Sequence, residues 1–156
     1  ESEPVKKRIS KLEPFSDIEK ARIAQKETTE AMSTLLKLGN PPVNLSVCDV
    51  RNSVKRAEQG GVLTPREFMD ISRVLYVGRR MKSYLSECSE ECTVLGEIRE
   101  KLLTAKSLED RINACIISET EIADDASADL SAIRRKMKNL NGKIKETLNQ
   151  MLFIYW

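Results

Sequence analysis

Histidine is absent from the 156 residues of this chain. Its absence removes the commonest general base and metal ligand, and with them the usual serine or cysteine hydrolase. Aromatic residues are scarce, at 4%, and prolines number five, while Leu, Ile, Ala, Lys, Arg and Glu dominate, a mix that reads as helical. No stretch approaches the length of apolar chain that a membrane-spanning helix needs. The opening residues, ESEPVKKRISKLEP, contain no apolar signal core. A dominant charge is lacking too. With 26 basic and 24 acidic residues the net charge is +2, so any electrostatic function has to be local. A Walker A loop is also missing. Gly142-Lys143 is the only Gly-Lys pair, Met137 stands where the first glycine belongs, and Ile144 replaces Ser/Thr.

The length fits one domain, or one domain with an appendage, and is enough to bury a core. Residues 1–15 are polar and bounded by proline, and read as a flexible lead-in or the remnant of something longer. Ser16 then opens a helix, with Glu19 three residues on completing a capping box. Ile18, Ala21, Ala24, Thr28, Ala31, Leu35 and Leu38 follow at helical spacing, and Gly39-Asn40-Pro41-Pro42 ends the run. A shorter helix is expected from about Ser46, carried by Val47, Val50, Val54 and Ala57, up to Gly60-Gly61. Thr64, Pro65 and Glu67 form a second capping box with proline at the first helical position. Phe68, Ile71, Val74, Leu75, Gly78, Met81 and Leu85 extend that helix to about residue 86. Two further helices are predicted over 93–104 and 107–116. The β-branched stretch at 116–122 is expected to be a small hairpin or a loop.

The last helix, capped by Ser127, has the clearest pattern. Leu130, Ile133, Met137, Leu140 and Ile144 recur at three and four residues, an a/d seam that blurs at Thr147 and continues through Leu148 and Met151. Asn141-Gly142 lies inside it. From Ser127 to Trp156 there are six basic residues (Arg134, Arg135, Lys136, Lys138, Lys143, Lys145) and two acidic ones (Asp129, Glu146), whereas residues 109–126 hold six acids and one base. Part of this reversal suits the helix dipole. The chain ends in the apolar run MLFIYW, which has to pack or pair.

Candidate sites divide by how well residue type and spacing fit a chemistry. Cys88 and Cys92 would share a helical face, but no histidine exists to complete a zinc site, and Cys48 and Cys115 form no C-x-x-C pair. Four cysteines without secretory context read as reduced thiols. Asp124 and Asp125, near Glu119 and Glu121, fit no EF-hand loop and read as loop solvation and helix N-terminal charge. The basic stripe has two open readings, contact with nucleic-acid phosphates or the solvated flank of a coiled coil.

Two stretches carry more than generic helix. Residues 35–75 read LLKLGNPPVNLSVCDVRNSVKRAEQGGVLTPREFMDISRVL, and residues 121–152 read EIADDASADLSAIRRKMKNLNGKIKETLNQML. The first holds the Gly-Asn-Pro-Pro break, Asp49-Val50-Arg51, Lys55-Arg56-Ala57-Glu58, Gly60-Gly61-Val62-Leu63 and a Pro-Glu-type helix start. The second holds Ile122, Asp124, Asp125, Ala126, Ser127, Leu130, Ile133 and Arg134. In this order they resemble the bacterial MutS-like proteins of the second subfamily (MutS-two), relatives of the mismatch-repair ATPases, over nearly the whole chain.

The resemblance implies an all-α helical bundle with a long C-terminal heptad helix. Residues 1–15 are the lead-in, 16–126 the lever or core bundle, and 127–156 the base of an arm that rises to a clamp near DNA. It places the family's ATPase, with its ATP and Mg, and its Smr-type nuclease outside this sequence, so no catalytic residue, cofactor site or metal site is carried over and the segment is expected not to be an enzyme. It also implies a cytoplasmic bacterial parent protein that binds branched or duplex DNA, restrains recombination and associates with ribosomes. Arg134, Arg135, Lys138, Lys143 and Lys145 are its candidate nucleic-acid contacts. Leu130, Ile133, Met137, Leu140, Ile144, Leu148 and Met151 are candidates for a helix seam that pairs with a partner helix or a second copy. The ending in Phe153-Ile154-Tyr155-Trp156 departs from the family's continuation, and a truncated arm is expected.

Overall fold

The helical periods resolve into seven α-helices and one small hairpin in the computed structural model, which describes residues 2–88 and 92–154. In chain order they are α1 (Glu3–Ile9), α2 (Ile18–Leu38), α3 (Arg51–Glu58), α4 (Pro65–Ser86), α5 (Thr93–Lys101), α6 (Lys106–Cys115), β1 (Ile116–Ser118), β2 (Glu121–Ile122) and α7 (Ala128–Ile154). The class is predominantly all-α, as expected. No helix among the described residues is long and apolar enough to cross a membrane.

Local chemistry explains most of the boundaries, including three that differ from the sequence reading. A short helix, α1, occupies part of the stretch read as a flexible lead-in, with Pro4 in its first turn and Ser2 at its N-cap. Asp17, not Ser16, caps α2, because its carboxylate accepts the Glu19 N–H at 2.9 Å. The third helix begins at Arg51 rather than near Ser46. The Asn44 and Asp49 side chains take the backbone N–H groups of Ser46 (2.8 Å) and Arg51 (3.2 Å), and these local bonds compete with helix formation. Gly39 ends α2 at φ +76°, a conformation that favours glycine. The 116–122 stretch is an antiparallel hairpin, pairing Ile116 with Ile122 and Ser118 with Glu121.

The helix α4 is the centre of the packing. α5, α6 and β1 lie against it, and α2 packs on α5. The apolar core is thin: Val77, Tyr84 and Leu85 of α4, Ile112 of α6 and Ala123 after the hairpin are its buried members, and none is sealed off completely. Polar ties supplement it. Glu109 of α6, only 3% exposed, accepts two bonds at 3.0 Å from the Arg79 guanidinium. That guanidinium holds its carboxyl below the usual range. The Tyr84 hydroxyl donates to Gly39 O at 2.6 Å, tying the end of α2 to α4. Ser72 donates to Asn113 at 2.7 Å, and Arg73 Nε donates to Ser46 O at 2.8 Å.

The short helix α5 has caps supplied by its neighbours. Its N-cap residue, Cys92, makes no side-chain capping bond. The buried Glu30 of α2 instead accepts the Leu95 N–H at 2.9 Å and the Thr93 hydroxyl at 3.4 Å. At the other end Lys82 of α4 donates to Leu102 O at 2.9 Å. An acid at the N-terminus and a base at the C-terminus both match the helix dipole. A helix of nine residues is marginal alone, so this bracing fixes where α5 lies.

At the start of α4 the capping box forms as expected. Thr64 Oγ1 accepts the Glu67 N–H at 3.3 Å, and Glu67 accepts the Thr64 N–H at 2.8 Å. The same carboxylate accepts from Ser53 at 2.9 Å and from Arg56, joining α3 to α4. The Thr64 amide first, then the Ser53 hydroxyl, hold the Glu67 carboxyl near 2 instead of 4.5. A depressed folded value contributes stability that is present above the unfolded value and is lost as pH falls through the folded one. With no histidine to titrate, the melting temperature is therefore expected to stay flat from about pH 7 to 5. It then falls between pH 4.5 and about 2. Glu67→Gln lessens that acid loss. Thermal melts across this range check it; a slope between about pH 5 and 7, or a variant that tracks the parent on acidification, contradicts it.

Candidate nucleic-acid and helix-pairing interface

The last helix joins the body only at its foot. Ser127, as predicted, caps it, accepting the Leu130 N–H at 3.1 Å on its hydroxyl. Leu130, Ser131 and Arg134 are half-buried, and every residue from Arg135 to Leu152 is exposed. Asn141 and Gly142 lie inside the helix without interrupting it.

The five predicted phosphate contacts do not form one surface. Arg134 is engaged, donating from Nη1 to Ile122 O at 2.9 Å and to the Asp124 carboxylate. It latches α7 to the hairpin, and the acidic loop read as solvation supplies its partner. Nearby Glu119 pairs with Arg66 at 3.7 Å. Among the described residues Arg135, Lys138, Lys143 and Lys145 make no ion pair. Lys138 and Lys145 share a shallow groove with Arg134, Met137, Asn141 and Gly142. Helical spacing puts Lys143 on the opposite side and Arg135 about a quarter-turn away.

The predicted seam does form one face. Leu130 is half-buried, while Ile133, Met137, Leu140, Ile144, Leu148 and Met151 are each 50% to 58% exposed. An isolated helix would gain nothing from such a row, and surface apolar residues are rarely aligned this way. Of the tail MLFIYW, Met151 and Leu152 are exposed. Tyr155, Trp156 and the side chains of Phe153 and Ile154 lie outside the described residues.

Elsewhere the geometry is that of packing. Cys88 follows the end of α4 and Cys92 precedes α5, so they do not share a helical face; the Thr34 hydroxyl lies 3.4 Å from one sulfur and 4.0 Å from the other. Among the described residues no three Cys, Asp or Glu side chains converge as a metal site. An apolar groove of about 310 Å³ between α4, α6 and β1, lined by Phe68, Leu108, Arg111, Ile112, Cys115 and Ile116, holds one charged side chain and no carboxylate. The sequence reading missed Glu30, Arg79 and Glu109, because nothing in a periodic pattern distinguishes an acid that caps a neighbour from one that faces water.

No protein-family model matches the chain. Individual relatives do. It is 36% identical over 149 residues to Endonuclease MutS2 of Alkaliphilus oremlandii, a match covering 94% of this chain and 19% of that protein. It is 38% identical over 150 residues to Endonuclease MutS2 of Acetivibrio thermocellus, with the same coverage. Against the protein of that name in Ruminiclostridium cellulolyticum, identity is 36% over 146 residues, 92% of this chain and 18% of the relative. The chain is homologous to a segment of MutS2. It spans about one fifth of the length of the curated MutS2 relatives it matches, 19% of each of the first two. The resemblance drawn from the Gly-Asn-Pro-Pro and Asp-Asp-Ala-Ser stretches therefore agrees with the alignment to MutS2.

Within this MutS2-like segment the role of Arg134 is the sharpest change to the expected site. Arg134→Ala removes a bond to a backbone carbonyl and an exposed ion pair, with an expected loss of about 1 kcal/mol or less. Urea unfolding measures it, and amide exchange at Leu130 and Ser131 quickens because the foot of α7 loosens. Lys138→Ala leaves both unchanged. Equal effects of the two substitutions contradict the latch.

Proposed function

We propose that this chain is the lever and clamp-base module of a MutS-type DNA-repair protein. The braced helices around α4 form a rigid body, and α7 carries its movement outward toward nucleic acid. Arg135, Lys138, Lys143 and Lys145 contact phosphates; Arg134 sets the angle at which α7 leaves the body. The segment contributes grip and coupling rather than chemistry. The observation that carries this reading is the exposed shaft of α7, with those four cations making no ion pair among the described residues. Homology to proteins named MutS2 supports the setting.

A second reading is that α7 pairs with another helix, making the chain a dimerisation or partner-binding module. The aligned, exposed seam from Ile133 to Met151 favours it. Both hold together if the seam faces a helix while Arg135, Lys138 and Lys145 face phosphates; Lys143, at the edge of the seam, then faces the helix.

Titration of a fluorescent four-way DNA junction tests the first reading. Binding is expected at about 50 mM salt and is lost steeply as salt rises, since each neutralised phosphate adds close to one unit to the log–log slope. Reversing Arg135, Lys138, Lys143 and Lys145 to Glu is expected to weaken binding at least about tenfold and flatten the slope. No binding at low salt, or an unchanged quadruple variant, contradicts direct contact.

A further inference from the structure

The two edges of the α7 seam differ in charge. Leu130, Met137, Ile144 and Met151 occupy a positions, and Ile133 and Leu140 d positions. The flanking g row is then Asp129, Lys136, Lys143 and Gln150, and the e row is Arg134, Asn141 and Leu148. Arg134 is held by Ile122 and Asp124, so it contributes no available charge to its edge. Lys136 and Lys143 are exposed, and neither makes an ion pair among the described residues. The seam therefore has one cationic edge and one neutral edge, and no acid borders it beyond Asp129.

We infer that the helix covering α7 presents an apolar seam with acidic residues along the single edge that meets Lys136 and Lys143, and that this occupant is not a second copy of the chain. The inference rests on the helix-pairing reading and specifies its partner. Antiparallel self-pairing brings like rows together and sets Lys136 of one copy against Lys143 of the other, a like-charge contact. Parallel self-pairing sets the g row against the e row, so Lys136 meets Asn141 and Lys143 meets Leu148, with no ion pair. An acid-edged helix gives both lysines a counter-charge in either direction. The seam from Leu130 to Met151 runs roughly 30 Å, so about three heptads of partner cover it.

Two designed peptides of about four heptads test this, with the same Ile/Leu seam and either Glu or Lys throughout e and g. Each is labelled, and binding to the full chain is read by fluorescence anisotropy at low and at about 0.5 M salt. The Glu peptide is expected to bind at least about tenfold tighter at low salt, with the gap narrowing at high salt. Lys136→Glu with Lys143→Glu is expected to reverse the preference, and circular dichroism confirms that the double variant is folded. Sedimentation of the chain alone at several concentrations runs alongside. Equal binding of both peptides, or a preference unmoved by the double variant, overturns the acidic edge but leaves the pairing reading standing. Binding of neither peptide by a monomeric chain overturns both. Self-association that neither peptide competes with makes a second copy the occupant and overturns the inference.

Discussion

The structure depends on the polar ties that α4 makes to α2, α3, α5 and α6. Among the described residues five apolar side chains are buried and none is fully sealed, too few to fix so many helices by hydrophobic burial alone. The fold is located instead by bonds that reach across elements. Arg79 holds α6 through the buried Glu109, Lys82 holds the end of α5, Tyr84 holds the end of α2, and Glu67 holds α3. Removing Arg79 leaves the buried Glu109 carboxylate without its two guanidinium bonds, which costs more than an exposed pair ever contributes. The ties therefore specify one arrangement as much as they stabilise it.

This has a consequence for movement. The helix α5 has a carboxylate from α2 at one end and an ammonium from α4 at the other, so these three helices shift together or break capping bonds. A body of that kind transmits displacement. Beyond Arg134 the ties stop, and the outer part of α7 keeps its helix without packing from any other described element. The transition from braced to unbraced backbone occurs at the Arg134 latch on Ile122 and Asp124. A braced body with one unbraced helix leaving it at a single point is the geometry on which the proposed lever reading rests, and the same geometry leaves the α7 seam bare.

The sequence was most informative where a feature is local. Thr64, Pro65 and Glu67 announced α4 because a capping box is closed within four residues, and Gly39 and Ser127 marked ends for similar reasons. The a/d row of α7 was legible because it is regular, and its exposure was not, since a seam reads the same whether covered or bare. Asp17 displaced Ser16 as a cap and Asn44 and Asp49 delayed α3 because neighbouring side chains compete for the same amides. Glu30 and Glu109 were invisible: their partners lie 65 and 30 residues away, and only the assembled fold brings them together. Arg134 looked like its basic neighbours until the hairpin supplied its acceptors.

The central claim is a rigid body organised by α4 with an unbraced α7 leaving it at Arg134. Native-state amide hydrogen exchange, at a concentration low enough to keep the chain monomeric, measures both parts at once. The account predicts the slowest exchange in α4 between Ser72 and Leu85, and a sharp rise along α7 beyond Arg135. Amides at Leu140 to Leu148 as protected as those of α4 in the monomer would contradict it.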